Sequence, residues 1–530
     1  MTGPASSPQK PSAAGTSPAR AGLVLGTLIL AAAVANLNLT VANVALPSIG
    51  AAFTASQLQL NLIAVGYSLG LAASVLWFGA LGDRYGRKRM IVLGLSAAIP
   101  ASLVAGLAAG WGVLFVARLF GGLSAGLTYP TTLALITVLW SGPARTRAIA
   151  LWSALGTGSA VVGPLLAGVL LQFFDWGSVF LVTIPLAALG VWLAVRYIPS
   201  RLPGSEQPVD NLGGVLSVLM IGALVVALNI VAAPDMLGLA LGLAAGALLL
   251  AVAFVIRQRR APNPLYDLAV AARPTFWVAA VAGIIIFGSL MGVLFVNQQY
   301  LQNVLGYGSV AAGAAIVPAV VMMVILAPYS ARMVDRWGSR TTLLAGQSFL
   351  ALSFVAMLLF WGADTAYLLV AVPLVLMGAG VGLAQTPSAH SLTGSVPIQR
   401  VGMASGTADL QRDLGGALMT SIFGALLTAG YASAMGSAIS ASGQDVTADT
   451  QNQLQMSYAS AASIADSAPQ YADQILAAAR SSFLDGDQLA YIAGFVAIAI
   501  GMSLVFFFFP RHHDEQRRIA QYRKEDQDAG

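Results

Sequence analysis

Runs of about 20 apolar residues recur along this chain with almost no charge inside them. A helix needs about 20 such residues to cross ~30 Å of hydrocarbon. By that rule spans fall near 22–49, 57–80, 89–109, 111–140, 147–172, 178–199, 211–232, 236–256, 275–302, 309–334, 341–361, 366–390, 402–430 and 488–510, fourteen in all. The division of 211–256 into two rests on the Pro234-Asp235 break. Only 9% of the residues are charged and 57% are hydrophobic, whereas a soluble domain carries roughly 25% charged residues. So few charges could not cover a water-facing surface, so lipid must be the solvent for most of the chain. An all-α polytopic membrane protein is expected.

The composition also excludes several kinds of chemistry. Cysteine is absent, which removes disulfides and thiolate metal sites, and no His/carboxylate cluster suggests a metal. No Gly-rich loop ends in Gly-Lys-Ser/Thr, so ATP is not the expected energy source. His390 is the one histidine within a span, too little for a Ser-His-Asp constellation. An enzyme is not expected, nor any cofactor. The net charge of +5 would suit nucleic acid, but the charges lie in short loops between apolar runs, where they report topology instead.

One set of alternate loops holds Arg84, Arg87, Lys88 and Arg89, then Arg145 and Arg147, Arg201, Arg257, Arg259 and Arg260, Arg336 and Arg340, and Arg400. The other set has only Arg480. This asymmetry puts the basic loops and both termini in the cytoplasm. Residues 1–20, rich in Pro, Ser, Ala and Gly, read as a disordered cytoplasmic tail, with no cleavable signal; residues 511–530 form a second, basic tail. High Ala and Gly suggest a bacterial source, and so a bacterial inner membrane. The acidic stretch 431–487 is expected to be a long external loop, either a helical hairpin or a disordered spacer.

An internal repeat is visible. Gly79-Ala-Leu-Gly-Asp83-Arg84-Tyr-Gly86-Arg87-Lys88 recurs weakly as Ala331-Arg-Met-Val-Asp335-Arg336-Trp-Gly338-Ser-Arg340. Two similar halves of parallel orientation are a transporter architecture, with the substrate site between them near the bilayer midplane.

The segment GALGDRYGRKR (79–89) resembles the signature loop of the major facilitator superfamily. LNLTVANVALP (37–47), ARLFGGLSAG (117–126), GTGSAVVGPLLAG (156–168), YLQNVLGYGSVAAGAAIVP (300–318) and VGMASGTADLQRDLGGAL (401–418) resemble motifs of its fourteen-helix drug:proton antiporters. The resemblance implies two six-helix bundles, 21–200 and 274–510, with two extra transmembrane helices at 211–257. It implies a secondary active exporter of lipophilic drug-like or endogenous small molecules, coupled to protons. A lipid or cell-envelope glycolipid transporter of the same fold is the alternative. The partners implied are substrate, protons and membrane lipid; oligomeric state is not readable. The gating loops would be Gly79, Asp83, Arg84, Gly86 and Arg87, with Asp335, Arg336 and Gly338 in the second half. Gly158, Gly163, Pro164 and Gly168 would form the antiporter bend. The family usually has Asp where this chain has Asn38, and an amide cannot carry a proton.

Ionisable groups within spans are functional candidates by default, since each costs roughly 2.5–3.5 kcal/mol at mid-bilayer. Arg118 lies in the fourth span; Asp409, Arg412 and Asp413 lie in the thirteenth. Asp409 and Asp413 are four apart and share a helix face. Carboxylates that close resist joint ionisation, so one of them can load and release a proton, replacing the missing first-span acid. The other reading is an Asp409–Arg412 ion pair with Asp413 hydrated. Arg118 is either a proton-handling residue or a tie between the first and fourth spans. Asn36, Thr40 and Asn43 make a polar stripe, with Asn38 pointing elsewhere, and Gln298, Gln299 and Gln302 make another; each either lines a cavity or joins helices.

Overall fold

A computed structural model describes residues 20–53, 57–200, 208–231, 236–444 and 446–528, with Pro18 and Ala55. Residues 1–17, Arg201, the Pro234-Asp235 break and the side chain of Asn43 lie outside what is described. Among the described residues every regular element is helical. The long helices are α1 (Ala21–Phe53), α2 (Gln57–Tyr85), α3 (Arg87–Gly106), α4 (Trp111–Leu139), α5 (Gly142–Phe173), α6 (Ser178–Tyr197), α7 (Asn211–Ile230) and α8 (Leu237–Arg260). After these come α9 (Pro274–Gln299), α10 (Val317–Phe360), α11 (Tyr367–Gly394), α12 (Val401–Ser442), the short α13 (Ala448–Met456) and α14 (Tyr458–Ser467), α15 (Ala472–Phe508) and α16 (His512–Asp528).

Twelve segments are long and apolar enough to cross a membrane among the described residues, against fourteen expected. The shortfall has two sources. The spans expected at 309–334 and 341–361 fall within one continuous segment, Val310–Phe360. It breaks at Gly338, whose φ of 83° is a left-handed conformation that glycine adopts without strain. The span expected at 147–172 lies in the continuous helix α5, within which the side chains at positions 157, 160 and 161 are not described, so only the stretch beyond them, Val162–Phe173, stands out as apolar.

Local chemistry sets several helix ends. Pro occupies the first turn of α5 and α9, where its missing N–H is no loss. Asp210 caps α7 by accepting from the Gly213 amide at 3.1 Å, and Arg257 at the end of α8 reaches the same carboxylate at 2.9 Å. Burial alone would push that carboxyl up, but the bonds from Arg257, Gly213 and Gln258 hold it below the ordinary carboxylate range. The pair α7–α8 is therefore clasped at one end, and α7 leans on α2. α8 carries a row of outward leucines (Leu237, Leu241, Leu248, Leu249) suited to lipid.

Two faces join the halves. α2 packs on α12, and α5 packs on α10, so the repeat noted above becomes a reciprocal arrangement in space. The segment 431–487 is more helical than a loop. α12 continues to Ser442, α15 begins at Ala472, and α13 and α14 fold between them, the Tyr431 hydroxyl donating to the Leu454 carbonyl at 3.0 Å.

Candidate functional site: a charged junction between the halves

Successive residues of α12 diverge by about 100° around its axis, and three of them use this to serve different neighbours. Gln411 turns into its own half: its amide donates to the Ala279 carbonyl of α9 at 2.9 Å, and Ser388 of α11 donates to it at 3.4 Å. Arg412 crosses to the other half. Its guanidinium donates to the Asn36 side-chain oxygen of α1 at 3.1 Å and lies 4.2 Å above the Tyr129 ring of α4. Asp409 borders a cavity of about 30 Å³ between the halves, lined also by Tyr129, Trp152, Phe287, Gln385 and Ser388.

The ion pair is Arg412 with Asp413, at 3.3 Å. Asp409 is the carboxylate with an unpaired buried oxygen facing the cavity, and Asp413 also keeps one oxygen unpaired. The alternative of an Asp409–Arg412 pair with a hydrated Asp413 is thus reversed in its geometry. The cavity holds a water or so. A drug-sized ligand needs about 300–1,000 Å³, so this arrangement is a closed one.

Asn36 anchors the junction from the first half. Its amide donates to the Gly156 carbonyl of α5 at 2.6 Å while its oxygen accepts from Arg412. Asn38 points elsewhere, as its spacing implies: its side-chain oxygen accepts from Ser102 and Thr183 at 3.3 and 3.2 Å. Arg118 finds backbone carbonyls rather than a carboxylate, donating to those of Asn38, Leu39 and Ile63. It thereby ties α4 to α1 and α2. Its guanidinium sits 4.9 Å from the Tyr67 ring, and Tyr67 lies within electrostatic reach of Arg412 and Asp413. Tyr67 and Tyr129 are the residues that sequence reasoning passed over. Tyr129 left one signal, its place before Pro130 in a polar stretch of α4.

The three glutamines do not join this site. Gln298, Gln299 and Gln302 are half-buried at the far end of α9. Gln411 of α12 sits level with Gly283, so Gln298 is more than ~20 Å further along that helix at 1.5 Å per residue. Thr40 donates back to the Asn36 carbonyl and packs against Gly163.

The glycines of α5 separate by role. A Cβ at Gly163 would fall 2.1 Å from the Thr40 hydroxyl of α1, whereas one at Gly168 meets nothing within 4 Å. Gly158 faces Val320 and Val324 of α10, and Pro164 sits inside a continuous helix. Gly163→Leu should therefore destabilise the fold by about 1–3 kcal/mol through overpacking. Gly168→Leu should stay within about 0.5 kcal/mol. Melting of the detergent-solubilised variants checks this; equal effects would remove the packing role given to Gly163.

On the face carrying the basic loops, the two repeat segments form matching latches. Asp83 accepts two bonds from Arg87, at 3.1 and 2.6 Å, and one from the Gly402 amide of α12 at 2.7 Å. Arg87 also donates to the Ile398 carbonyl at 3.0 Å. Between α2 and α3, Gly86 turns the chain at a φ of 103°. In the second half Asp335 accepts from Thr146 at the start of α5, at 3.2 Å. Each acid thus meets the first turns of a helix in the opposite half. Arg84 and Arg336 stay exposed.

A family model described as Major Facilitator Superfamily matches residues 28–420. The chain belongs to the major facilitator superfamily. It is 33% identical over 402 residues to the multidrug resistance protein Stp of Mycobacterium tuberculosis, covering 74% of this chain and 73% of that one. It is 32% identical over 422 residues to the multidrug efflux pump LfrA of Mycolicibacterium smegmatis, covering 78% and 82%. Among solved structures, the proton:xylose symporter XylE aligns with a TM-score of 0.59 at 12% identity, covering 92% of this chain and 96% of that one. The human organic anion transporter MFSD10 aligns with a TM-score of 0.58 at 14% identity, covering 92% and 100%. At these identities the structural likeness speaks for the fold, which is that of a helical, multi-pass membrane transporter.

Proposed function

We propose that this protein exports lipophilic, drug-like small molecules across a bacterial inner membrane, driven by protons moving inward, with both termini and the basic loops in the cytoplasm. The two bundles would be 21–200 and 274–510, with 211–257 as an added pair. The observation that carries the reading is the position of Asp409: a buried carboxylate with an unpaired oxygen, on the cavity between the halves, one turn from an arginine that spans them. The names of Stp and LfrA support drug-like substrates.

The coupling follows from charge balance. Arg412 is a permanent cation, held between Asp413, Asn36 and the Tyr129 face. A proton on Asp409 removes one of the two negative charges that hold Arg412 in this closed junction. Losing the proton restores the pull. The halves then part or close around the cavity as the proton arrives or leaves, and the latches at Asp83 and Asp335 gate the cytoplasmic side.

A panel of lipophilic dyes and antibiotics in an efflux-deficient bacterial host tests the reading. Expression should lower accumulation of several compounds, and a protonophore should restore it. Export that persists after the protonophore, or no exported compound at all, would overturn it.

A further inference from the structure

A third carboxyl lies deep in the fold, away from the junction. Asp487 is 1% exposed within α15, and neither of its oxygens has a hydrogen-bond partner of good geometry among the described residues. The aromatic groups around it are specific. Tyr491, one turn along, brings its hydroxyl beside the carboxyl, and Tyr300 at the end of α9 is within electrostatic reach. The Trp361 ring at the end of α10 stacks on Tyr300 at 4.9 Å and meets Tyr491 edge-on at 5.5 Å.

Among the described residues no cation pairs with Asp487. From α12, Leu427 and Tyr431 close over Gly486, and from α14, Tyr458 packs on Phe483. Tyr300, Tyr431 and Tyr458 are thus the titratable groups brought by the packed elements, with Tyr491 from α15 itself. Asp485 and Arg480 of α15 itself are exposed. An ionised carboxylate in such surroundings would carry a desolvation cost of several kcal/mol with nothing to offset it.

We propose that Asp487 is a second proton-holding carboxyl of this transporter, set at the end of the bundle opposite the basic loops and separate from the Asp409–Asp413 site. Its proton is held while α12, α15 and the α13–α14 hairpin are closed over it. Ionisation requires water, and so requires those elements to part. The geometry of the closed pocket stands without the export reading; its use as an outer proton-loading point rests on that reading.

Infrared spectroscopy reads the proton directly. Reconstituted protein carrying Asp409→Asn and Asp413→Asn should keep a protonated-carboxyl C=O band at neutral pH, and adding Asp487→Asn should abolish it. Should that variant fail to fold, Asp487→Glu should shift the band instead. A spectrum unchanged by either substitution overturns the proposal. No substrate or gradient is needed, so this outcome is independent of whether the double variant still pumps. For the opening step, a cysteine placed at the fully buried Ala461 of α14 should label faster in alkaline buffer with Asp487 present than in the Asp487→Asn background. Equal labelling rates would show that its ionisation does not part the hairpin.

Discussion

Everted vesicles carrying Asp409→Asn together with Asp413→Asn are expected to lose gradient-driven substrate accumulation while keeping downhill exchange. Asn preserves the shape and much of the hydrogen bonding of Asp but holds no exchangeable charge. Arg412 keeps the Asn36 oxygen and the Tyr129 face as partners, so the protein should still insert, with a junction that closes less firmly. What disappears is the energy source. One charge moved down 100 mV supplies about 2.3 kcal/mol, which is a concentration ratio of roughly 50-fold at 1.4 kcal/mol per decade. That ratio should collapse towards unity. Asp409→Asn alone should account for most of the loss, because Asp409 lines the cavity while Asp413 is occupied by Arg412. Undiminished accumulation by the double variant would mean that the proton travels elsewhere.

The membrane class was legible from apolar run length, because a bilayer imposes a length rule that few other environments share. The latches were legible for a related reason. Asp83 and Asp335 fall at equivalent places in a repeat, and parallel repeats bring equivalent segments to equivalent faces. What they hold was not legible. Gly402 lies 319 residues beyond Asp83, and nothing local in either stretch announces the contact. The helical phase on α12 correctly set Asp409 and Asp413 on a common side, yet phase does not say which carboxylate an intervening arginine will choose. Arg412 pairs with its immediate neighbour because it is stretched the other way, towards Asn36. Tyr129 and Tyr67 were missed since an aromatic residue in an apolar span looks like packing until a guanidinium is seen on its face. Asp487, one of the acids of the stretch 431–487, reads from sequence as solvated for the opposite reason. It ends that acidic, polar stretch, and only the closure of α12 and the hairpin buries it.

A larger side chain at Gly402 is expected to force the latch open. α2 and α12 approach each other through two glycines: a Cβ on Gly402 would lie 2.2 Å from the Gly79 carbonyl oxygen and 2.5 Å from an Asp83 carboxylate oxygen. The first of these is backbone, which cannot rotate aside. The same spot carries the one cross-half hydrogen bond of Asp83, from the Gly402 amide. Gly402→Val therefore strikes packing and latch together, and in the cycle proposed above it does so in the closed arrangement, where α2 and α12 meet. Overpacking of 1–3 kcal/mol shifts the closed-to-open ratio by roughly 5- to 150-fold. The chain has no cysteine, so a pair introduced at Arg84 and Gln399, which face one small cavity beside the latch, reports closure without background. Crosslinking of that pair follows the closed fraction and should slow in the Gly402→Val protein, by at most about that factor. Gly402→Ala should give a smaller shift in the same direction. Unaltered crosslinking would mean that the contact between Gly79 and Gly402 does not hold the side of the basic loops shut.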